Sequence, residues 1–72
     1  MILVIAGNYE QYRRFVAGRG GYRYLSEPQH VYGWGRGTEY VKVGEWWKSP
    51  LLLRNPRFDL EIKARGYREV QP

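Results

Sequence analysis

The side chains of this chain that are best suited to recognition are aromatic rings and arginines. Rings can stack on other groups, and guanidinium groups can donate several hydrogen bonds. The segment VGEWWKSP, residues 43 to 50, places Trp46 beside Trp47 where an apolar stretch ends. Adjacent residues that leave a strand point to opposite sides, so we expect one ring to pack inward and the other to lie near the surface. A surface tryptophan would offer a contact platform for a base or for a partner protein. The alternative is that both rings fill an undersized core.

A second aromatic and basic segment is GWGRG, residues 33 to 37, which holds Trp34 and Arg36 between glycines. The formal net charge is +5, and nine of the twelve basic residues are arginine, whose guanidinium group suits carboxylates, phosphates and ring faces. Two alternatives stay open: Trp34 folded back onto the core, and a surface that is merely basic and soluble. The predicted partner-binding residues are Arg13, Arg14, Arg19, Arg23, Trp34, Arg36, Trp46, Trp47 and Lys48.

Motifs for catalysis, nucleotide binding or metal binding are not recognisable. The segment AGNYEQ, residues 6 to 11, has one glycine and no lysine, unlike a phosphate-binding loop or a dinucleotide fingerprint. His30 has no partner triad, and there is no cysteine. Glu45 lies beside the tryptophans and could have a raised pKa, but a single carboxylate is a weak case for acid–base chemistry. We favour a plain exposed carboxylate at this position. We therefore predict a protein that is not an enzyme and holds no cofactor or metal.

The elements that must position these residues alternate between strand and helix. MILVIA is an unbroken apolar run, which favours a strand buried on both faces. Asn8 is a good N-cap for a helix that places Tyr12, Phe15 and Val16 on one face. Two further strands are predicted, at residues 22 to 26 and 39 to 44.

Helix-start signals follow the second and third predicted strands. Ser26 and Gln29 form a capping box that predicts a short helix over about residues 27 to 32. Ser49 and Pro50 form a cap and first-turn pair. The segment RFDLEIKARG, residues 57 to 66, fits both strand alternation and helical spacing; we favour a helix because a last strand at YREV would then complete a third unit.

The predicted fold is a single α/β domain over residues 1 to 72. It has a small, open, mostly parallel three-stranded sheet of order 2-1-3, flanked by two or three short helices. If RFDLEIKARG were a strand, the fold would be a smaller mixed sheet with one main helix. Ligands of such sheets bind beyond the carboxyl ends of the strands, which here places a site at Gly7 to Tyr9 and Gly44 to Trp47, with the helix start at Asn8 as a candidate anion site.

The N-terminal apolar run is too short to cross a membrane and has no preceding basic residue, so we expect no membrane span and no signal peptide. We expect a cytoplasmic monomer.

Three segments resemble small phage-encoded proteins with a Rossmann-like layout. They are VIAGN after the first strand, YRYLSEP in the middle and VGEWW at the end of the third strand, and the resemblance covers about residues 1 to 50. In length, charge and lack of catalytic motifs, the chain is also similar to small transcription regulators of lytic phages of Xanthomonas. This likeness is one of overall character, so it assigns no individual interface residue.

That resemblance implies binding to host bacterial RNA polymerase at the N-terminal part of its β′ subunit. It further implies displacement of the sigma factor, inhibition of initiation at host promoters, and antitermination. The alternative function is that of a small basic nucleic-acid-binding protein, whose affinity would fall steeply with salt. A degenerate nucleotide-binding domain is the third possibility.

Overall fold

A parallel four-stranded sheet forms the centre of this computed structural model, which describes residues 1 to 27, 29 and 34 to 72. Its strand order is β2-β1-β3-β4, and every neighbouring pair is parallel. The strands are β1 (Ile2–Ala6), β2 (Tyr22–Tyr24), β3 (Glu39–Val43) and β4 (Arg68–Glu69). The α/β class and the order 2-1-3 are confirmed. The predicted count of three strands is one too few, because YREV adds a fourth strand that pairs through only two residues.

Local capping signals set the helices. Helix α1 (Tyr9–Val16) begins where the Asn8 side chain accepts a hydrogen bond from the Gln11 backbone N–H at 2.9 Å. A 3-10 turn over Trp46–Lys48 leads into α2 (Pro50–Arg54), where the Ser49 hydroxyl accepts from the Leu51 N–H at 3.3 Å. The caps predicted at Asn8 and Ser49 are therefore present.

The ambiguous segment after residue 56 is helix α3 (Phe58–Ala64). Phe58 and Ile62 are one helical turn apart and both are buried, so the helical spacing prevails over the alternation. Most of the short helix predicted over residues 27 to 32 lies outside the described residues, which omit 28 and 30 to 33. His30 lies outside them as well.

The sheet separates two hydrophobic clusters. One lies between the sheet and helices α2 and α3, with the half-buried Trp34 and Trp46 packed against it; its buried residues are Leu3, Ile5, Leu25, Tyr40, Leu51, Leu52, Phe58, Ile62 and Tyr67. The other lies under α1, and its buried residues are Val4, Ala6, Val41 and Val43. Strand β1 contributes to both clusters, which explains why its sequence is apolar without alternation.

Candidate protein-binding site

The side chain of Gln11 closes the carboxyl edge of the sheet between β1 and β3. Its Oε1 accepts hydrogen bonds from the backbone N–H of Gly7 at 3.1 Å and of Glu45 at 2.9 Å. Its Nε2 donates to the Glu45 carboxylate at 3.2 Å. An open sheet of this kind binds ligands at this place, but here the chain's own amide oxygen takes the backbone donors that an anion would use.

Two glycines make room for that side chain. A Cβ atom at Gly7 or at Gly44 would lie only 2.5 Å from the Gln11 Oε1, and Gly44 also has a φ of +55°, which few other residues adopt. The glycines after β1 and β3 therefore bring backbone and glutamine together. Our sequence reasoning missed Gln11, because a single glutamine on an amphipathic helix carries no distinguishing pattern.

Trp46 and Trp47 lie in different environments, as predicted. Trp46 packs against the core under α2 and α3, whereas Trp47 is 54% exposed. The two rings meet edge to face, with centroids 5.8 Å apart. Their separation comes from the tight Trp46–Lys48 turn rather than from an extended strand, because successive side chains of a 3-10 helix diverge by about 120°.

The exposed tryptophan forms one wall of a surface groove of about 420 Å³. We call it the Trp47 groove; its lining residues are Trp46, Trp47, Leu52, Leu53, Pro56 and Asp59. Leu53 is 69% exposed, so two large apolar side chains face solvent in the same depression. Apolar surface grouped in this way is typical of a site where another molecule binds.

A partly buried charge network fixes the inner wall of the groove. The Lys42 Nζ lies 3.3 Å from the Asp59 Oδ2, 3.6 Å from the Glu69 Oε1 and 4.3 Å from the Trp46 ring centroid. The Lys42 side chain is only 14% exposed, so these contacts are weakly screened by solvent. Trp46 and Asp59 are therefore held in place by these contacts.

Next to this network, the Tyr40 side chain is fully buried. Burial, followed by the charges of Glu69 and Asp59, raises the pKa of the Tyr40 hydroxyl to about 12. Tyr40 therefore stays neutral at physiological pH and does not add to the charge of the network.

Glu45 is not the raised-pKa carboxylate that its position beside the tryptophans suggested. A hydrogen bond from Lys48 and the charge of that lysine, with a further hydrogen bond from Gln11, lower the pKa of Glu45. The Lys48 Nζ is 2.8 Å from the Glu45 Oε2, and both side chains are largely accessible to water. The possibility of a raised pKa is therefore not realised, because the contacts with Lys48 and Gln11 outweigh the effect of burial.

The nine predicted partner-binding residues do not form one surface. Trp46, Trp47 and Lys48 share the turn at the groove. Arg13 and Arg14 lie on the exposed side of α1, and the Arg19 guanidinium stacks 4.7 Å from the Phe15 ring centroid.

The remaining three predicted residues lie elsewhere. Arg23 pairs in register with Leu3, so it points toward the α2 and α3 face, at the outer edge of the sheet. Arg36 packs beside Gly66, where an added Cβ would approach its Nε to 3.0 Å. Trp34 is half-buried against the core, and its carbonyl accepts a hydrogen bond from the Tyr67 hydroxyl at 3.1 Å. Trp34 is therefore folded back onto the core, which is the alternative that the sequence left open.

Exposed basic residues adjoin the lining residues of the Trp47 groove along the chain. Lys48 follows the exposed tryptophan, and Arg54 and Arg57 stand on either side of the groove-lining Pro56 along the chain. Within the described part of the chain, Arg54 and Arg57 make no ion pair. Our sequence reasoning missed Leu53, Arg54 and Arg57, because nothing in LLLRNPR shows that this turn packs beside the tryptophans.

No family model, curated protein or solved structure matches this chain. Over residues 1 to 27, 29 and 34 to 72, no group of three or more histidine, aspartate or glutamate side chains is arranged to hold a metal ion. In the same part of the chain, no helix has both the length and the apolar character needed to cross a membrane.

Proposed function

We propose that this protein is a small, non-enzymatic regulator that acts by docking its Trp47 groove onto a partner protein. The observation that carries the proposal is the pairing of a 54% exposed Trp47 with a 69% exposed Leu53 in one groove. Tryptophan is enriched among the few interface residues that supply most of the binding free energy. A rigid, half-exposed ring loses little conformational entropy on binding.

The groove is better suited to binding than to catalysis. The carboxylate among its lining residues, Asp59, is engaged by Lys42 at 3.3 Å. Asp59 is the single ionisable side chain among the described lining residues, and a lone carboxylate is a weak case for acid–base chemistry. The groove instead offers apolar walls that would receive one or two apolar side chains from a partner.

Basic side chains around the groove favour a partner with an acidic surface. Lys48, Arg54 and Arg57 would form the rim of the interface, where opposite charges increase the rate of association and help to select the partner. Of these three, Lys48 already pairs with Glu45 at 2.8 Å, so Arg54 and Arg57 are the better candidates for contacts to partner carboxylates.

The partner that we propose is a bacterial RNA polymerase, at the N-terminal region of its β′ subunit. This choice rests on the resemblance of VIAGN, YRYLSEP and VGEWW to small phage-encoded proteins, and on the likeness to phage transcription regulators. The protein would then act in the host cytoplasm, displace the sigma factor, inhibit initiation and promote antitermination.

The test is co-elution of the purified protein with core RNA polymerase on gel filtration, together with a pull-down from bacterial lysate before and after nuclease treatment. Trp47→Ala should weaken the complex about 30-fold or more, the effect of losing a central interface tryptophan. Leu53→Ala should weaken it as well. The matched control is Leu60→Ala, since Leu60 is 61% exposed and does not line the groove.

Three outcomes would count against this function. Failure of the wild-type protein to bind core polymerase would refute the partner. Equal weakening by Leu60→Ala and Leu53→Ala would refute the groove as the contact. Capture that disappears after nuclease treatment would instead favour the alternative, a small basic nucleic-acid-binding protein.

A further inference from the structure

A second exposed surface lies on the α1 side of the sheet, away from the Trp47 groove. It is built on three tyrosine rings in mutual contact, with centroid distances of 5.6 Å for Tyr9 and Tyr12, 5.5 Å for Tyr9 and Tyr24, and 5.1 Å for Tyr12 and Tyr24. Tyr9 is 56% exposed. Tyr12 and Tyr24 are half-buried and hold the Tyr9 ring from behind.

The row of rings continues toward the other end of α1. Phe15 meets Tyr22 edge to face at 5.0 Å, and the Arg19 guanidinium lies 4.7 Å from the Phe15 ring centroid. We call the whole set the tyrosine–arginine surface; it consists of Tyr9, Tyr12, Arg13, Arg14, Phe15, Arg19, Tyr22 and Tyr24.

The charge of this surface is positive. Arg13, Arg14 and Arg19 are all exposed, whereas Glu10 is the acidic residue of α1. Arg14 approaches Glu10 only to 3.9 Å, with both side chains largely in water, so this pair is weak. Arg13 makes no ion pair within the described part of the chain. With Glu10 and Ala17, Arg13 and Arg14 also line a shallow hollow of about 300 Å³ on the outer side of the helix.

We propose that the tyrosine–arginine surface binds single-stranded nucleic acid. The exposed Tyr9 ring would stack on an unpaired base at the start of α1, and Arg13, Arg14 and Arg19, which lie toward and beyond the other end of the helix, would contact phosphates along the same strand. A duplex keeps its base faces covered, so the ring has a use only for a single strand. This surface presents an exposed ring that is backed by two further rings, with exposed arginines on the same helix.

This inference goes beyond the proposed protein-docking function, because it concerns a different face of the sheet. The groove lies beside α2 and α3, and the tyrosine–arginine surface lies on α1 and β2. A regulator with both surfaces would hold an unpaired strand while it is docked on its protein partner.

The experiment is fluorescence anisotropy of the full chain with labelled oligothymidine and oligouridine of about 12 nucleotides, within the range of known single-strand site sizes. With three phosphate contacts, the logarithm of the affinity should fall against the logarithm of salt concentration with a slope of about −2. Tyr9→Ala should weaken binding about 5- to 150-fold, whereas Tyr9→Phe, which keeps the ring, should bind like the wild type. A preference for one oligonucleotide would identify the strand as DNA or RNA.

Matched variants separate local contact from general charge. Arg13→Gln should reduce the salt slope by about 0.7, while Arg54→Gln, which removes the same charge from the groove side, should leave affinity and slope unchanged. Circular dichroism of each variant checks that the fold is retained. The proposal is overturned if the wild type binds no oligonucleotide at low salt, if Arg13→Gln and Arg54→Gln weaken binding equally, or if Tyr9→Ala binds as the wild type does.

Failure of this proposal is distinguishable from failure of the protein-docking function. Trp47→Ala should lose the protein partner and keep the oligonucleotide, and Tyr9→Ala should do the reverse. If Trp47→Ala abolished oligonucleotide binding without unfolding the protein, the strand would bind at the groove and the tyrosine–arginine surface would not be the site.

Discussion

Replacing Gln11 with alanine should destabilise the protein by about 2 to 3 kcal/mol, because two backbone N–H groups would lose their acceptor. Those groups belong to Gly7 and Glu45, at the ends of β1 and β3. The substitution also removes the hydrogen bond from the Gln11 Nε2 to the Glu45 carboxylate. Alanine has a higher helix propensity than glutamine, so any loss of stability would not come from α1 itself.

The magnitude follows from the partial burial of the site. An unsatisfied buried N–H costs about 1 to 3 kcal/mol, and about 1 to 1.5 kcal/mol applies to each group here because water reaches a half-buried donor. In a chain of 72 residues, 1 kcal/mol corresponds to about 4 to 8 °C in the melting temperature. The Gln11→Ala variant should therefore melt about 8 to 24 °C below the wild type.

Urea unfolding followed by tryptophan fluorescence, with thermal unfolding followed by circular dichroism, would measure the loss. Gln11→Met is the matched variant, since it has a similar length and lacks both the acceptor and the donor; it should lose nearly as much stability as Gln11→Ala. If Gln11→Met were as stable as the wild type, the side chain would act by packing alone, and the hydrogen-bond reasoning would be refuted.

Gln11→Glu tests the electrostatics of the same place. The new carboxylate can still accept from both N–H groups, but it removes the Nε2 hydrogen bond to Glu45 and places a like charge beside it. Both changes should raise the pKa of Glu45 above its value in the wild type, because each disfavours the charged form of that carboxyl. An NMR pH titration should therefore show a higher Glu45 midpoint in Gln11→Glu, and an unchanged midpoint would refute the contact.

Three further predictions concern the groove and the residues around it. Trp46→Ala should lower the free energy of unfolding by about 2 to 4 kcal/mol, slightly less than the loss of about 3 to 5 kcal/mol for a fully buried ring, because Trp46 is only partly buried. Trp47→Ala should lower it by less than about 1 kcal/mol, because Trp47 is largely exposed. Urea unfolding would measure both losses. Tyr40→Phe should raise the free energy of unfolding by about 1 kcal/mol, because the buried hydroxyl has no hydrogen-bond partner among the described residues. In an NMR pH titration, the Glu45 carboxyl should titrate below its usual range, and Lys48→Met should raise the midpoint of that titration. Because the pKa of Glu45 is lowered in the folded protein, the stability that Glu45 contributes is present at neutral pH and is lost as the pH falls through that lowered pKa.

Each of these predictions has a result that contradicts it. Equal losses for Trp46→Ala and Trp47→Ala would mean that both rings act as core. A less stable Tyr40→Phe would reveal a partner for that hydroxyl. An unchanged Glu45 midpoint in Lys48→Met would assign the lowered pKa to Gln11 instead of Lys48.

Short-range patterns in the sequence were enough to place most elements of the fold. The caps at Asn8 and Ser49 act within one helical turn, and the apolar run of β1 reflects burial on both faces, so each is visible in a few consecutive residues. The α/β class and the order 2-1-3 followed from alternation and from the handedness of crossovers. The sequence also predicted that only one of Trp46 and Trp47 would pack inward.

Only the tertiary structure decided which of these residues meet. Gln11 and Glu45 are 34 positions apart, and their contact depends on the register of β1 against β3. The register of β2 against β1 sends Arg23 to one face of the sheet while α1 carries Arg13 on the other, which divides a set of arginines that looks continuous in the sequence. Local sequence patterns indicate the conformation of a residue within its own turn or strand. A binding surface, by contrast, forms where segments that are distant in the sequence pack together. That packing is determined by the whole sheet.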